Sequence, residues 1–231
     1  GTKSEDPRNS LSVKEILNIG LRHLEENQIA DAAIDCKLLY CYLMKVTTSQ
    51  MLLEYQKVLP DSLCDEYFAL LDRRASGVPL QHITGVQEFM GLEFKVSEKV
   101  LIPRQDTETL VEEALKVIKP GMRVLDMCTG SGCVLISILK YAHDVEGFGY
   151  DISKQAINVA KENAKLNDVS ALFERSDLFE DVMESDMDVI VSNPPYIPSE
   201  IVTTLMPEVV DFEPREALDG KEDGLYFYRK I

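Results

Sequence analysis

Residues Asn193-Pro194-Pro195-Tyr196 carry the clearest chemical signal in this chain. They follow Val-Ile-Val-Ser at 189–192, a short apolar run rich in β-branched residues that predicts a buried strand. Proline cannot donate to a sheet ladder, so the strand must end at the first proline. We therefore expect Asn193 at the carboxyl end of a central strand, where open α/β sheets bind their ligands.

These four residues suit a planar group that carries an NH2, such as an amide or an exocyclic amine. The Asn193 side chain has one acceptor and two donors, Pro194 has a carbonyl but no N–H, and Tyr196 has an aromatic face. A strand followed by a proline-rich turn without chemistry is the plain alternative, because short motifs match by chance.

Three further features are expected at strand ends and together describe a nucleotide-type pocket. Residues 126–132 (Asp-Met-Cys-Thr-Gly-Ser-Gly) follow an apolar run, and glycines there let a ligand approach the backbone. Asp151, 19 residues later, is placed to accept hydrogen bonds from both ribose hydroxyls. Asp177 can hold an adenine amine while Leu178 covers the ring. A glycine turn, a ribose acid and an adenine acid predict a site for S-adenosylmethionine, with Asn193 facing its methyl group.

The elements that must position these residues alternate between strand and helix after Pro120-Gly121, which predicts a parallel sheet. The predicted strands are Arg123–Met127, Glu146–Tyr150, Ala171–Glu174 and Met187–Ser192, with helices from about 132 and over 156–164. Before them, residues 85–103 predict a hairpin with Gly91 in its turn, closed by Pro103-Arg104. Asp106 is a candidate cap for the helix that follows.

Residues 11 to about 76 predict a small helical bundle, in which Ser12 and Glu15 fit a capping box and Asp61 a helix cap. Three apolar stripes are interpreted as core packing. They comprise Val13, Ile16, Leu17, Gly20 and Leu24, then Ile34, Leu38, Leu39 and Tyr42, then Leu63, Tyr67, Leu70, Leu71 and Arg74.

Bulk properties exclude several classes of function. The net charge of −16 over 231 residues argues against a broad phosphate-binding surface, so no direct nucleic-acid partner is expected. No apolar run is long enough to cross a membrane. The five cysteines form no CxxC pair and no metal-ligand spacing, which indicates reduced thiols in a cytosol-like compartment and no metal site. Residues 1–10 are polar and predict a tag remnant or a disordered terminus.

The chain resembles the protein-glutamine methyltransferases of the HemK/PrmC type, which methylate the glutamine of the Gly-Gly-Gln loop in peptide chain release factors. The resemblance implies a Rossmann-like, S-adenosylmethionine-dependent α/β fold preceded by a helical bundle, a monomer, and a cytoplasmic (bacterial) or organellar-matrix location. The segments that carry it are 79–85 with Glu88-Phe89, Val100–Glu108, Asp126–Gly132, Ser192–Ile197 and Asp211–Leu225.

The resemblance also implies roles for individual residues. Residues 128–132 would wrap the methionine end of the cofactor, Asp151 would bind the ribose, and Asn193–Tyr196 would hold the glutamine amide, with Asn193 touching cofactor and substrate. The implied cofactor-binding set is Asp126, Cys128, Thr129, Gly130, Ser131, Gly132, Asp151, Asp177, Leu178 and Asn193. The implied substrate-binding set is Asn193, Pro194, Pro195, Tyr196 and Arg104, of which Asn193, Pro194 and Tyr196 are catalytic.

The implied domains are a helical substrate-docking domain over 11–80, a hairpin linker over 81–104 and the methyltransferase domain over 105–231. Three departures from the family pattern stand out. Cys128 replaces a frequent glycine, Gln105 replaces a common proline, and the chain reaches Ile231 with only four of the seven expected strands. The C-terminal strands are therefore expected to be missing.

Two other functions remain open from the residues. An adenine-amine methyltransferase acting on DNA or RNA would use the same Asn-Pro-Pro-Tyr pocket, but the acidic charge weighs against it. A non-catalytic adaptor that binds release factors through its helices would have no need of that motif.

Overall fold

The computed structural model describes residues 11–194. The chain divides into two compact units between Thr84 and Gly85. The first unit is helical, as expected. Its helices are α1 (Val13–Glu26), α2 (Ala32–Met44), α3 (Thr48–Leu53), α4 (Asp61–Ala75) and α5 (Leu80–Thr84).

Helix α1 begins as its sequence predicts. The Ser12 hydroxyl accepts the Glu15 N–H and the Glu15 carboxylate accepts the Ser12 N–H, which completes the capping box. The predicted apolar stripe of α1 is confirmed, because all five of its residues are buried. They pack against buried residues of α2 and α4 in the core of the first unit.

The apolar stripe predicted for α2 is wrong in three of its four residues. Ile34, Leu38 and Tyr42 are 59%, 42% and 47% exposed, and only Leu39 is buried. The helix is apolar on nearly all sides, so periodicity could not select its inner face. Asp35 lies on that inner face, where it is buried and bonds to a residue of another helix.

The α2 face that turns inward is held by a buried ion pair. Arg74 on α4 donates its Nε–H to Asp35 Oδ2 at 2.8 Å and an Nη1–H to the Val78 carbonyl at 3.1 Å. Beside it, the Tyr67 hydroxyl donates to the Cys36 carbonyl at 2.8 Å. Both charged groups need such partners in a core, because a buried charge without a partner is strongly destabilising.

Both predicted aspartate caps are wrong. Asp61 is the first residue of α4, Pro60 occupies the cap position, and no side chain caps that helix. The Asp61 carboxylate lies instead in the first turn, where its negative charge interacts favourably with the helix dipole. Asp106 lies within a 3₁₀ turn, Gln105–Thr107, that precedes the next helix. In both places the path of the backbone before the helix determines which residue lies at the cap position, and the presence of an aspartate does not reveal that path.

The second unit begins with the predicted hairpin and continues with the predicted sheet. Its elements are β1 (Val86–Phe89), β2 (Leu92–Lys95), α6 (Glu108–Val117), β3 (Arg123–Met127), α7 (Cys133–Tyr141), β4 (Glu146–Asp151), α8 (Lys154–Leu166), β5 (Leu172–Arg175) and β6 (Val189–Ser192). Met90 and Gly91 form the hairpin turn with positive φ angles of 52° and 72°. Val100, Leu101 and Ile102, which we expected in a strand, lie in a segment without regular structure.

Four parallel strands form the sheet in the order β5-β4-β3-β6. Helices α7 and α8 follow β3 and β4, so strand and helix alternate as predicted, and the α/β fold class is confirmed. Among the described strands β6 lies at one edge, next to β3. All four strands run in one direction, and their carboxyl ends therefore meet at one edge of the sheet.

Within residues 11–194 the structure contains neither a membrane-spanning helix nor a cluster of metal-binding side chains. No helix there is both long enough and apolar enough to cross a membrane. Likewise, no group of three or more histidine, cysteine or acidic side chains in that part of the chain could hold a metal ion. The five cysteines are free thiols.

Candidate active site

A cavity of about 290 Å³ lies at the carboxyl ends of the parallel strands. Ten of the residues singled out from the sequence line it, which brings together side chains spread over 90 positions of the chain, from 104 to 193. They are Arg104, Asp126, Cys128, Thr129, Gly130, Ser131, Asp151, Asp177, Leu178 and Asn193. Gly132 and Pro194 are not among the lining residues, and Pro195 and Tyr196 lie outside the described residues.

The two glycines of the turn after β3 serve different purposes. Gly130 has a φ of +56°, and no atom lies within 4 Å of the place where a Cβ would sit, so its backbone borders open space. Gly132 has a φ of +81°, and a Cβ there would come within 2.9 Å of Ile136 and 3.1 Å of Ala160. Gly130 therefore suits close approach of a ligand, whereas Gly132 is needed for packing against α7 and α8.

Asp151 joins the ends of β3 and β4. Its Oδ2 accepts the Gly130 N–H and its Oδ1 accepts the Ser153 N–H, both at 2.9 Å. A carboxylate can accept about four hydrogen bonds, so one that is already oriented by two N–H groups still suits a pair of ligand hydroxyls. Asp151 thus shapes the turn and borders the cavity at the same time.

Asp126 lies at the end of β3 and is 2% exposed. Its Oδ2 accepts the Thr129 hydroxyl at 2.7 Å. Burial raises the pKa of Asp126 to about 7, and nearby Asp151 adds to the rise, while the bond from Thr129 opposes it. The carboxyl therefore changes charge near neutral pH.

Asp126 predicts a dependence of stability on pH. Because its folded-state pKa is raised above the unfolded value, its contribution to stability is fully present below about pH 4 and is lost as pH rises through about 7. We expect the free energy of unfolding of Asp126→Asn, which resembles the protonated form, to exceed that of the parent protein by more at pH 8 than at pH 5, because the parent loses the contribution of Asp126 progressively between those pH values. Denaturant titrations at both pH values measure the difference. An equal effect of the substitution at pH 5 and pH 8 would contradict the raised pKa.

Comparison with known proteins identifies the family. Residues 15–85 match the PrmC N-terminal domain and residues 105–211 match the methyltransferase small domain. A release factor glutamine methyltransferase from Geobacter sulfurreducens is 37% identical over 95% of this chain and 78% of its own length. Those from Clostridium acetobutylicum and Thermodesulfovibrio yellowstonii are 42% and 39% identical, over 85% and 83% of this chain and 71% and 70% of their own lengths.

The chain belongs to the release factor glutamine methyltransferase family. The resemblance read from the sequence is confirmed, and the chain is an enzyme of the methyltransferase class.

Cys128, noted above as a departure from the family pattern, has a left-handed backbone conformation. It adopts a φ of +63°, a conformation that non-glycine residues seldom take. Burial raises the pKa of its thiol to about 12, with added effects of Asp151 and Asp126. The thiol therefore stays protonated at neutral pH and is unsuited to act as a nucleophile.

The segment 99–107 forms a wall of the cavity that sequence reasoning largely missed. Val100, Ile102 and Pro103 line it together with Lys99, Arg104 and Thr107. Only Arg104 had been singled out, as a substrate contact. The available signal was the segment Val100–Glu108, one of the stretches that carry the family resemblance, although residues 101–104 have no regular structure that would mark them as part of a site.

Ser192 connects β6 to β3 directly before Asn193. Its hydroxyl donates to the Met127 carbonyl at 2.8 Å, and its side chain also contacts the Cys128 thiol. The ends of the two strands are thereby held together where Asn193 borders the cavity. No pattern in the sequence indicated this role for Ser192.

Proposed function

We propose that this chain transfers the methyl group of S-adenosylmethionine to the side-chain amide nitrogen of the glutamine in the Gly-Gly-Gln motif of peptide chain release factors. The observation that carries the proposal is that Asn193 borders the same cavity as Asp151 and the turn 128–132. A residue suited to an amide and residues suited to an adenosine thus face one space. Family membership supports the substrate.

The residues of the cavity fit S-adenosylmethionine. Asp151 and Asp177 line the cavity as carboxylates and favour a cationic ligand, whereas Asp126, which also lines it, changes charge near neutral pH. Apolar Ile102 and Leu178 offer a surface for the adenine ring, and Gly130 leaves room at its Cα. When bound, the cofactor supplies a methyl group attached to a positively charged sulfur.

Asn193 and Pro194 have the groups needed to prepare the glutamine. An amide nitrogen is a poor nucleophile because its lone pair is delocalised into the carbonyl. If the Asn193 side-chain oxygen and the Pro194 carbonyl accept its two N–H groups, the nitrogen is favoured in a pyramidal form with its lone pair directed at the methyl group. Such positioning accounts for several kcal/mol in comparable reactions, and oriented carbonyl dipoles stabilise the positive charge that develops on nitrogen.

No strong general base is required in this reaction. The nitrogen becomes very acidic once it is methylated and loses its proton afterwards. In the proposal, Tyr196 packs against the plane of the amide. Arg104, which borders the cavity, meets the backbone of the substrate.

Mass spectrometry of a release factor incubated with this protein and S-adenosylmethionine tests the proposal. We expect a gain of one methyl group that peptide mapping places on the glutamine of the Gly-Gly-Gln motif. Binding of S-adenosylhomocysteine without any methyl transfer to the release factor would contradict the substrate assignment. Transfer to the adenine amine of DNA or RNA under the same conditions would favour the alternative enzyme.

We further propose that the first unit recognises the body of the release factor. Helix α2 presents Ile34, Leu38 and Tyr42 on one exposed face, at successive intervals of four residues. Exposed apolar groups aligned in this way are typical of protein interaction surfaces. A release factor, as a folded protein substrate, offers more surface than its methylated loop alone, and such a face can bind it.

Replacing Leu38 with glutamine tests this surface. We expect the KM for the intact release factor to rise roughly five- to thirtyfold, because one apolar contact of this size contributes about 1–2 kcal/mol, while kcat and the affinity for S-adenosylhomocysteine stay unchanged. Leu53→Gln is the matched control, since Leu53 on α3 is 88% exposed and lies outside the α2 face. Equal KM values for the two variants would exclude the α2 face as a docking surface.

A further inference from the structure

Asn163 on α8 and Asn167, which caps the carboxyl end of that helix, are buried polar residues for which the proposed reaction has no use. Asn163 is 0% exposed and Asn167 is 9% exposed. Asparagine is a weak helix former, and a buried amide must be hydrogen-bonded to be tolerated. Their side-chain bonds therefore explain why the chain has asparagine there.

The Asn163 amide pairs with β2 as a neighbouring strand would. Its Oδ1 accepts the Lys95 N–H at 2.7 Å and its Nδ2 donates to the Lys95 carbonyl at 3.0 Å. The next residue, Val96, donates instead to Gly85 on the side of β1. Successive residues of a strand point to opposite sides, so Asn163 occupies the edge of β2 that β1 leaves open.

A third bond from Asn163 reaches the wall of the cavity. Nδ2 also donates to the Ser131 carbonyl at 2.9 Å, within the turn after β3. Both N–H groups and the oxygen of the amide are thereby used. The turn is held at two points of its backbone, at the Gly130 N–H by Asp151 and at the Ser131 carbonyl by Asn163.

Asn167 makes comparable bonds but does not contact the turn. Its Nδ2 donates to the Glu93 carbonyl and to the Asn163 carbonyl, each at 3.0 Å. Its side chain therefore fastens the hairpin to the end of α8, while its backbone carbonyl accepts a hydrogen bond from the Lys140 ammonium at 2.9 Å. Asn163 thus bonds to both the hairpin and the turn, whereas Asn167, four positions later, bonds to the hairpin alone of these two.

We infer that Asn163 is a positioning residue for the cofactor: through the Ser131 carbonyl it holds the backbone of residues 130–132 in the conformation that receives the methionine end of S-adenosylmethionine. The inference rests on the proposed use of that cofactor and adds the residue that orients its binding turn. Because the same amide is bonded to Lys95, the β1–β2 hairpin is part of the support of the cofactor site.

The test compares two ligands that differ only in the methionine end. S-adenosylhomocysteine has the amino-acid tail, whereas 5′-methylthioadenosine lacks it. In Asn163→Ala we expect the Kd of S-adenosylhomocysteine to rise roughly three- to tenfold, the effect of one lost hydrogen bond, with the Kd of 5′-methylthioadenosine changed less than twofold. Asn167→Ala is the matched control and should leave both Kd values unchanged, although both substitutions lower the melting temperature.

Calorimetric titrations at low temperature, on variants whose near-ultraviolet circular dichroism shows native packing, give these values. If Asn163→Ala does not fold, Asn163→Ser, which keeps a hydroxyl beside Lys95, replaces it with the same expectation. Equal weakening of both ligands, or no weakening of either, would overturn the positioning role while leaving the cofactor assignment intact. Failure of the unsubstituted protein to bind S-adenosylhomocysteine would instead overturn the proposed function, and the inference with it.

Discussion

Replacing Asn193 with alanine is expected to lower kcat for glutamine methylation on the order of 100-fold, while the Kd of S-adenosylhomocysteine changes only a few-fold. The large effect follows because Asn193 would act on the glutamine amide as charge develops on its nitrogen, and loss of one such oriented group typically has this magnitude. The small effect on binding follows because Asp151 and Asp177, the proposed contacts of the ribose and the adenine, line the cavity and are untouched. Single-turnover kinetics and calorimetry measure the two quantities separately.

Asn193→Asp distinguishes the possible roles of the side chain. Aspartate keeps an oxygen that accepts a hydrogen bond and removes the N–H donors. If Asn193 acts as an acceptor for the substrate amide, the aspartate variant should retain more activity than the alanine variant. Equal loss in both variants would contradict the acceptor role, and near-normal turnover in the alanine variant would exclude Asn193 from catalysis.

Replacing Asp151 with alanine is expected to weaken binding of S-adenosylhomocysteine about 100-fold, or roughly 2.7 kcal/mol. The substitution removes the proposed acceptor for the ribose hydroxyls, and hydrogen bonds to a charged group are the stronger kind. It also releases the Gly130 and Ser153 N–H groups that the carboxylate now orients. Isothermal titration calorimetry measures the change.

Asp177→Ala provides the control for Asp151. Both carboxyl groups line the cavity, but Asp177 is exposed to solvent and Asp151 is only partly exposed. A hydrogen bond in contact with water contributes less, so we expect a change of only a few-fold for Asp177→Ala. If both variants bind S-adenosylhomocysteine within threefold of the parent protein, the assignment of the ribose acid is wrong.

The sheet and most of its site residues could be predicted because their signals are local. Apolar runs of strand length ended by glycine, aspartate or proline placed β3, β4, β5 and β6 to within a few residues. Parallel strands end at one edge, so residues at their carboxyl ends had to lie close together. That reasoning anticipated nine of the residues that line the cavity, and the tenth, Arg104, was implied by the family resemblance.

The helical unit shows where local signals are insufficient. The α1 capping box and stripe could be predicted, because both arise within a few residues of chain. The inner face of α2 could not, because the helix is apolar on several sides and its orientation depends on Asp35 meeting Arg74, 39 residues away. The two mistaken aspartate caps have a similar cause, since the path of the chain before each helix decided which group lies at its end.

By itself the sequence indicated the family through the motifs that carry the resemblance. It also determined the order of strands and helices along the chain and the residue types at each strand end, because these depend on periodicity and breakers along a short stretch of chain. Only the tertiary structure decided that residues 99–107 close the cavity, that Gly132 is needed for packing, and that Asn163 joins the hairpin to the turn. Those features depend on contacts between residues 28 to 68 positions apart, such as Gly132 with Ala160 and Lys95 with Asn163. A linear pattern does not encode such contacts, because they form only when the whole core packs.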